Sequence, residues 1–252
     1  MVMRWPTVLA AVLISGTASA QTAMPSGFVH LAEVNASIRQ DIRYAGSRNF
    51  VGRPIAGYRA AECVLTREAA QALDRVQKSL AARGLTLVVW DCYRPASAVA
   101  DFMAWSRDLS DQRQRAIFYP AVEKRTLTSD GYLSARSTHS RGSTVDLGIA
   151  PASGGWPPSG SLGPGACTAP AAQRGNEGTL DFGTAYDCFD PLSHGAARGV
   201  AREAQANRRM LALAMAAQGF RAYAKEWWHF QLRNEPFPTQ TFDFPIPPRG
   251  MR

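Results

Sequence analysis

Three short apolar stretches of the chain have the residue pattern of β-strands. Residues 85–90 (Leu-Thr-Leu-Val-Val-Trp) form a continuous apolar, β-branched run, which is typical of a strand buried on both faces. Residues 145–149 and 228–232 instead alternate apolar with polar or small side chains, the period of a strand with one face in the core. The chain therefore needs a β-sheet, and the second of these strands would turn Asp146 away from its apolar neighbours.

Three helices are predicted around these strands, over residues 66–84, 95–105 and 198–217. The first begins at Thr66, a residue type favoured as a helix cap, and ends at Gly84. Helices and strands follow one another in no regular βαβ order, so the expected fold class is α+β. The chain has 252 residues, of which 46% are hydrophobic, and this is enough for the core of a single domain.

The N-terminal residues have the pattern of an export signal. Arg4 precedes the apolar run of residues 8–14, and Ala18-Ser19-Ala20 supplies the small residues of a cleavage site. We therefore expect residues 1–20 to be a signal peptide and residues 21–252 to form a periplasmic or secreted domain. The apolar run is shorter than the roughly 20 residues that cross a bilayer, and no later segment reaches that length, so stable membrane insertion is not expected.

Four cysteines, an even number, are expected to form disulfides in an exported chain, since no two of them have the C-x-x-C spacing of a zinc-thiolate site. Three pairings are open, and we favour the two that join neighbours along the chain. Cys63 with Cys92 would tie a helix start to a strand end, and Cys167 with Cys188 would close a stretch of the long loop predicted over residues 151–190. That loop is rich in Gly, Pro and Ser and has no periodicity.

The formal net charge of the chain is +8, but its basic residues are scattered and no basic run exceeds two residues. This pattern favours a solvated, arginine-rich surface over a nucleic-acid partner. Nothing in the sequence assigns an oligomeric state.

Two segments combine an imidazole with a carboxylate. His139 and Asp146 lie seven residues apart across a glycine, and Glu226 and His229 lie three apart. A catalytic zinc ion takes three nitrogen or oxygen ligands, leaves one position open for water, and needs a nearby carboxylate as base. His139, Asp146 and His229 can be those ligands, with Glu226 as the base. Each of these residues alone would more often have a structural role. The pairing of an acid with an imidazole in both segments is what favours a metal site.

Several ordered motifs span most of the mature chain. They are Arg43-Tyr44, Asn49-Phe50-x-Gly52, Trp90-Asp91-x-Tyr93-Arg94-Pro95, Ser137-x-His139-x-x-Gly142-x-x-x-Asp146, Glu226-Trp227-Trp228-His229-Phe230, Asn234-Glu235-Pro236 and Phe242-Asp243-Phe244-Pro245. This order resembles the zinc D-Ala-D-Ala peptidase superfamily, and in detail its D-alanyl-D-alanine dipeptidases, the vancomycin-resistance type among them.

The resemblance implies a single α+β domain with a central, mainly antiparallel sheet flanked by helices. It also implies that His139, Asp146 and His229 bind one Zn²⁺ per chain, that Glu226 is the base and that Arg94 stabilises the oxyanion. From the residues alone, Arg94 beside Asp91 could equally form a structural ion pair.

By the same resemblance, Asp187 meets the free ammonium of the dipeptide, while Ser137 and Tyr44 line the same pocket. The expected activity is hydrolysis of D-Ala-D-Ala. An exported enzyme does not reach the cytosolic pool of that dipeptide, so turnover or salvage of cell-wall peptides is the expected role. Two alternatives stay open: a D,D-carboxypeptidase acting on longer peptidoglycan peptides, and an inactive wall-binding module.

One geometric expectation follows from the strand period. In a regular strand over residues 223–233, Glu226 and His229 would point to opposite faces, because an odd number of residues separates them. We therefore expect a bend or bulge near Glu226 and Trp227, with Glu226 just ahead of the strand and its carboxylate turned towards His229.

Overall fold

The computed structural model describes residues 23–153, 163, 165–175 and 177–250. The expected signal peptide and part of the 151–190 loop lie outside these residues. The helices and strands, in chain order, are β1 (Phe28–His30), α1 (Leu31–Val34), β2 (Arg39–Gln40), β3 (Val64–Thr66), α2 (Arg67–Ala81), β4 (Leu85–Asp91), α3 (Ala96–Arg107), α4 (Arg115–Phe118), β5 (Thr144–Pro151), α5 (Ala171–Arg174), α6 (Arg202–Ala217), β6 (Phe220–Tyr223) and β7 (Glu226–Leu232).

The main sheet has five strands in the order β2-β4-β5-β7-β6. Only the β2–β4 pair is parallel among the described pairs of this sheet, and the others are antiparallel. Strands β1 and β3 form a separate antiparallel pair. Helices α2 and α6 pack against each other and against the sheet. The predicted α+β class, with a mainly antiparallel sheet flanked by helices, is confirmed.

Local sequence explains the two longest helices. The Thr66 side chain accepts a hydrogen bond from the backbone N–H of Ala69, which caps α2, and the apolar side chains of that helix lie in the core. Helix α6 begins at Arg202 rather than at Arg198, so the predicted start was four residues early. Within the described residues, no helix has the length and apolar character needed to cross a membrane.

The central strands form the interior of the domain. Val145, Leu147 and Ile149 on β5 are completely buried, as is Trp90 on β4. Because β5 lies between β4 and β7, Asp146 near the start of β5 has a neighbouring strand on each side. Its side chain is therefore buried.

Both disulfides expected from the sequence are present, Cys63 with Cys92 and Cys167 with Cys188. The first joins the residue before β3 to the residue after β4. The second holds part of the 151–190 region, which also contains the short helix α5 and so is not loop throughout.

Candidate active site

Strand register brings Asp146 and His229 together. Asp146 on β5 pairs directly with His229 on β7, and on its other side with Asp91 at the end of β4. Directly opposed residues of an antiparallel pair project from the same face of the sheet. The polar side of β5 therefore carries Asp146 between an imidazole and a second carboxylate.

His139 reaches the same point from a turn of 3₁₀ helix, Thr138–Arg141, that precedes β5. The Ser137 hydroxyl accepts a hydrogen bond from the backbone N–H of His139 at 3.3 Å and caps this turn. Gly142 then reverses the chain with a φ of +81°, and a Cβ at this position would lie 2.1 Å from the Phe28 ring. A glycine is required here, because it supplies both the left-handed backbone and the space.

Three potential ligand atoms converge. His139 Nε2 lies 3.3 Å from Asp146 Oδ1 and 3.2 Å from His229 Nδ1, and the latter lies 3.1 Å from Asp146 Oδ1. Ligands of a tetrahedral zinc ion, at about 2.0–2.1 Å from the metal, are separated by roughly 3.3 Å. Asp146 Oδ1 is buried and has no hydrogen-bond partner among the described residues, which a metal ion would provide. The three residues therefore fit zinc.

A hydrogen bond orients His139, and nearby charges keep Asp146 ionised, so both side chains can bind a cation. His139 Nδ1 lies 2.7 Å from the backbone oxygen of Cys92, so the Nδ1–H is donated there and Nε2 keeps its lone pair. Burial on its own would raise the pKa of Asp146, but the positive charge that His139 and His229 carry when protonated outweighs it and holds that pKa far below its usual value. Asp146 is therefore ionised.

Glu226 lies beside this group. Its Oε2 is 3.5 Å from His229 Nδ1. Burial, together with the negative charge of Asp146, raises the pKa of Glu226 to about 8. A carboxyl group with a pKa near neutrality can both take up and release a proton under physiological conditions.

The backbone next to Glu226 is irregular, as expected. Between Ala222 and Tyr223 the partner on β7 changes from Phe230 to Glu226, so three residues of β7 are left between consecutive pairs. Two details of the expectation were wrong. Tyr223 ends a separate strand, β6, and Glu226 is the first residue of β7 rather than a residue ahead of it. A tight hairpin through residues 224–225 replaces the single long strand.

Arg94 faces the site and also forms an ion pair. Its Nε and Nη2 lie 2.9 and 2.8 Å from Asp91 Oδ2, and Nη2 lies 3.6 Å from Asp146 Oδ2. The Tyr58 hydroxyl donates to Asp91 Oδ1 at 2.6 Å, so this buried carboxylate is satisfied on both oxygens. The guanidinium also lies over the Tyr44 ring. Arg94 is therefore held rigidly while still lining the cavity.

Asp187 and Tyr44 meet on the other side of the cavity. The Tyr44 hydroxyl lies 3.1 and 2.9 Å from the two carboxylate oxygens of Asp187. Asp187 is the one non-glycine residue with positive φ, +60°, in the part of the chain that the structure describes. Burial and the nearby charge of Asp146 raise the pKa of Asp187 well above its usual value. A buried acid held in a sparsely populated conformation is typical of a functional position.

The site contains a cavity of about 480 Å³. The predicted residues on its wall are Tyr44, Arg94, Ser137, His139, Asp146, Asp187, Glu226 and His229. The structure thus brings together in one place every candidate metal, catalytic and substrate residue.

A sequence profile described as D-Ala-D-Ala dipeptidase, of the M15 peptidases, matches residues 24–156 and 160–247. The chain belongs to the M15 peptidase family. A D-alanyl-D-alanine dipeptidase of Streptomyces coelicolor is 40% identical over 223 residues, which is 88% of this chain and 100% of the relative. That of Enterococcus faecium is 35% identical over 88% of this chain and 100% of its own length. The D-alanyl-D-alanine dipeptidase of Escherichia coli is 28% identical over 204 residues, which is 81% of this chain and 83% of the relative.

In this M15 peptidase, Tyr186 is a residue of the site that sequence reasoning missed. Its hydroxyl donates to Asp146 Oδ2 at 3.1 Å. The available signal was that Tyr186 directly precedes Asp187 in the sequence. Tyr58, the partner of Asp91, lies in a segment without a recognisable pattern and could not have been found from the sequence.

Proposed function

We propose that this M15 peptidase is an exported, zinc-dependent dipeptidase that hydrolyses D-Ala-D-Ala to two molecules of D-alanine. The observation that carries the proposal is the convergence of His139 Nε2, Asp146 Oδ1 and His229 Nδ1 within 3.3 Å of one another, beside Glu226. The relatives named D-alanyl-D-alanine dipeptidase support the choice of substrate.

His139, Asp146 and His229 would hold the ion. When bound there, zinc supplies Lewis acidity, which lowers the pKa of water and polarises a peptide carbonyl. Glu226 would then be in its ionised, proton-accepting form, because a bound cation opposes the effects of burial and of Asp146 that raise its pKa.

Glu226 is the proposed general base. Its carboxylate takes a proton from the attacking water and returns it to the leaving amine, as a group with a pKa tuned by burial can do. The general base and the metal ligands are different residues in this arrangement, because Glu226 lies beside His229 but is not one of the three ligands.

Arg94 is the proposed oxyanion donor. Its guanidinium is held by Asp91 and lies 3.6 Å from Asp146, so it borders the position of the scissile carbonyl. Since Asp91 and the aromatic rings fix the side chain in advance, no reorganisation is needed as negative charge develops.

Asp187 and Tyr44 are proposed to select dipeptides. A substrate with a free ammonium group provides the cation that a buried Asp187 lacks, whereas an acylated peptide leaves that carboxylate without a charged partner. Ser137, on the cavity wall near His139, is proposed to contact the substrate as well.

Export and a role in the turnover or salvage of cell-wall peptides complete the proposal. The family match begins at residue 24, just after the expected cleavage site at Ala20. Two disulfides are also in keeping with an oxidising compartment.

Hydrolysis by the purified protein tests the proposal. We expect about one zinc per chain, cleavage of D-Ala-D-Ala, and at least 100-fold lower kcat/KM for N-acetyl-D-Ala-D-Ala, in line with the penalty for leaving a buried polar group unpaired. Equal or faster cleavage of the acetylated peptide would instead identify a D,D-carboxypeptidase. A protein that binds zinc but cleaves neither peptide would be an inactive wall-binding module.

A further inference from the structure

The hydroxyl of Tyr186 lies between two parts of the site. It is 3.1 Å from Asp146 Oδ2 and 3.3 Å from the hydroxyl of Tyr44, which in turn is 2.9 Å from Asp187 Oδ2. All four side chains are buried. When Asp187 is protonated, as its raised pKa favours, its carboxyl group donates to Tyr44, Tyr44 donates to Tyr186 and Tyr186 donates to Asp146. A continuous hydrogen-bonded chain then runs from a proposed metal ligand to the proposed ammonium-binding acid.

The position of the Tyr186 ring is fixed by its surroundings. The ring stacks on Trp90 with centroids 4.8 Å apart and meets the edge of Trp228 at 5.5 Å. Its backbone N–H donates to Glu177 at 3.2 Å, and Glu177 forms an ion pair with the buried Arg43. The hydroxyl is thus held in place by contacts that a phenylalanine ring would largely keep.

The hydrogen bond from Tyr186 orients the carboxylate of Asp146. The Tyr186 hydroxyl donates a hydrogen bond to Oδ2 of Asp146, and Oδ1 of Asp146 thereby faces His139 and His229. Partners of this kind, bound to a ligand rather than to the metal, set ligand orientation and basicity, and their loss typically weakens metal binding by about 10- to 100-fold.

We propose that Tyr186 is a positioning residue that orients Asp146 for zinc and links the zinc site to the ammonium site at Asp187 through Tyr44. The inference rests on the proposed function for the identity of the metal and of the ammonium-binding acid. It adds a thermodynamic coupling between the two sites. A change at the Tyr44 end of the hydrogen-bonded network alters zinc affinity, and zinc binding alters affinity at the Asp187 end by the same factor.

Zinc affinity, measured by competition with a chromophoric chelator, tests the first half of the inference without any assay of activity. Tyr186→Phe is expected to raise the zinc Kd by about 10-fold or more. Tyr93→Phe is the matched control, because it also removes a buried tyrosine hydroxyl, one that donates to the backbone oxygen of Phe244 at 3.0 Å. Its zinc Kd should stay at the wild-type value. A wild-type Kd for Tyr186→Phe would overturn the inference.

A double-mutant cycle tests the link. Tyr44→Phe keeps the ring under Arg94 but loses the hydroxyl, and we expect it to raise the zinc Kd at least about 2-fold, the lower limit for groups coupled in one network. In the Tyr186→Phe background the same change should have no further effect on the zinc Kd. Equal effects of Tyr44→Phe in both backgrounds would contradict the link.

Thermal unfolding of the zinc-free variants establishes that each is folded. If Tyr186→Phe does not fold, the single variant Tyr44→Phe decides the question, because its hydroxyl reaches Asp146 through Tyr186. A wild-type protein that binds no zinc would contradict the proposed function, whereas equal zinc affinity in wild type and variants would contradict only the role of Tyr186.

Discussion

The Nδ1 atom of His139 lies 2.7 Å from the backbone carbonyl oxygen of Cys92, and Cys92 is bonded to Cys63. The orientation of a proposed zinc ligand therefore depends on a backbone segment that a disulfide holds. The second disulfide has a comparable place on the other side of the cavity, since Cys188 directly follows Asp187. Each disulfide thus holds the backbone next to a different part of the proposed site.

Removing the Cys63–Cys92 disulfide is expected to affect the metal site. Replacing both residues by alanine should lower the free energy of unfolding by about 3–4 kcal/mol, from the entropy of the closed loop, and should also weaken zinc binding. Chemical denaturation and chelator competition measure the two effects.

The matched control is alanine at both Cys167 and Cys188. This loop is of similar length, so the loss of stability should be similar, about 3 kcal/mol. Zinc affinity should fall less than in the Cys63/Cys92 variant, by only about 2-fold through the Asp187–Tyr44–Tyr186 link, while KM for the dipeptide should rise because Asp187 is less firmly held. Equal losses of zinc affinity in both pairs of variants would show that the disulfides act only through global stability.

Glu226→Ala is expected to lower kcat by about 10²–10⁴, the usual contribution of a general base, while about one zinc per chain stays bound. His139→Ala and His229→Ala should lose the metal as well, because each removes one of the three converging ligand atoms. Activity assays and metal analysis of the same preparations separate the two roles. Loss of zinc from Glu226→Ala would mean that Glu226 is a ligand.

Arg94→Lys is expected to lower kcat by about 10²–10³ with zinc content unchanged. Lysine keeps a positive charge near the buried Asp91 but does not reproduce the planar guanidinium. Arg94→Ala would in addition leave Asp91 without its ion pair and destabilise the fold, so the lysine variant gives the cleaner kinetic result. A normal kcat with a raised KM would assign Arg94 to binding of the substrate ground state.

Asp187→Asn is expected to raise KM for D-Ala-D-Ala and to reduce the preference for the free over the N-acetylated dipeptide by at least about 10-fold. Asparagine tolerates the positive φ of +60° at this position, so the backbone should be kept. Asp190→Asn is the control, because Asp190 is buried nearby and caps a 3₁₀ turn through Leu192, a role that asparagine also fills. An unchanged preference in Asp187→Asn would exclude Asp187 from ammonium recognition.

Gly142→Ala is expected to destabilise the protein more than Gly84→Ala does. Both glycines have positive φ, but a Cβ at Gly142 would meet the Phe28 ring, whereas a Cβ at Gly84 meets nothing within 4 Å. The difference in unfolding free energy should be roughly 1–3 kcal/mol, the cost of overpacking a core. Denaturant unfolding of the two variants measures it, and equal values would mean that Phe28 moves aside freely.

Local signals were sufficient for much of the fold. Thr66 caps α2 as its residue type predicts, and the alternation in residues 145–149 correctly gives a strand with Asp146 on its polar side. The start of α6 was misplaced: Gly199 disfavours a helix that begins at Arg198, but no Ser, Thr, Asp, Asn or Pro in residues 198–201 marks the true start at Arg202. The hairpin between β6 and β7 was missed because Ala224-Lys225 has none of the usual turn residues.

The sequence by itself determined which residues could bind metal, because two imidazoles and two carboxylates in paired segments, within an ordered set of family motifs, supply the three ligands and the base that a catalytic zinc ion needs. Only the tertiary structure decided how they meet. The irregular β6–β7 pairing brings Glu226 beside His229 although the strand period would separate them, and the cross-strand register sets Asp146 opposite His229. Tyr186 joins this group from a distant part of the chain. Such contacts depend on the free energy of packing many segments at once, and short-range sequence patterns do not encode it.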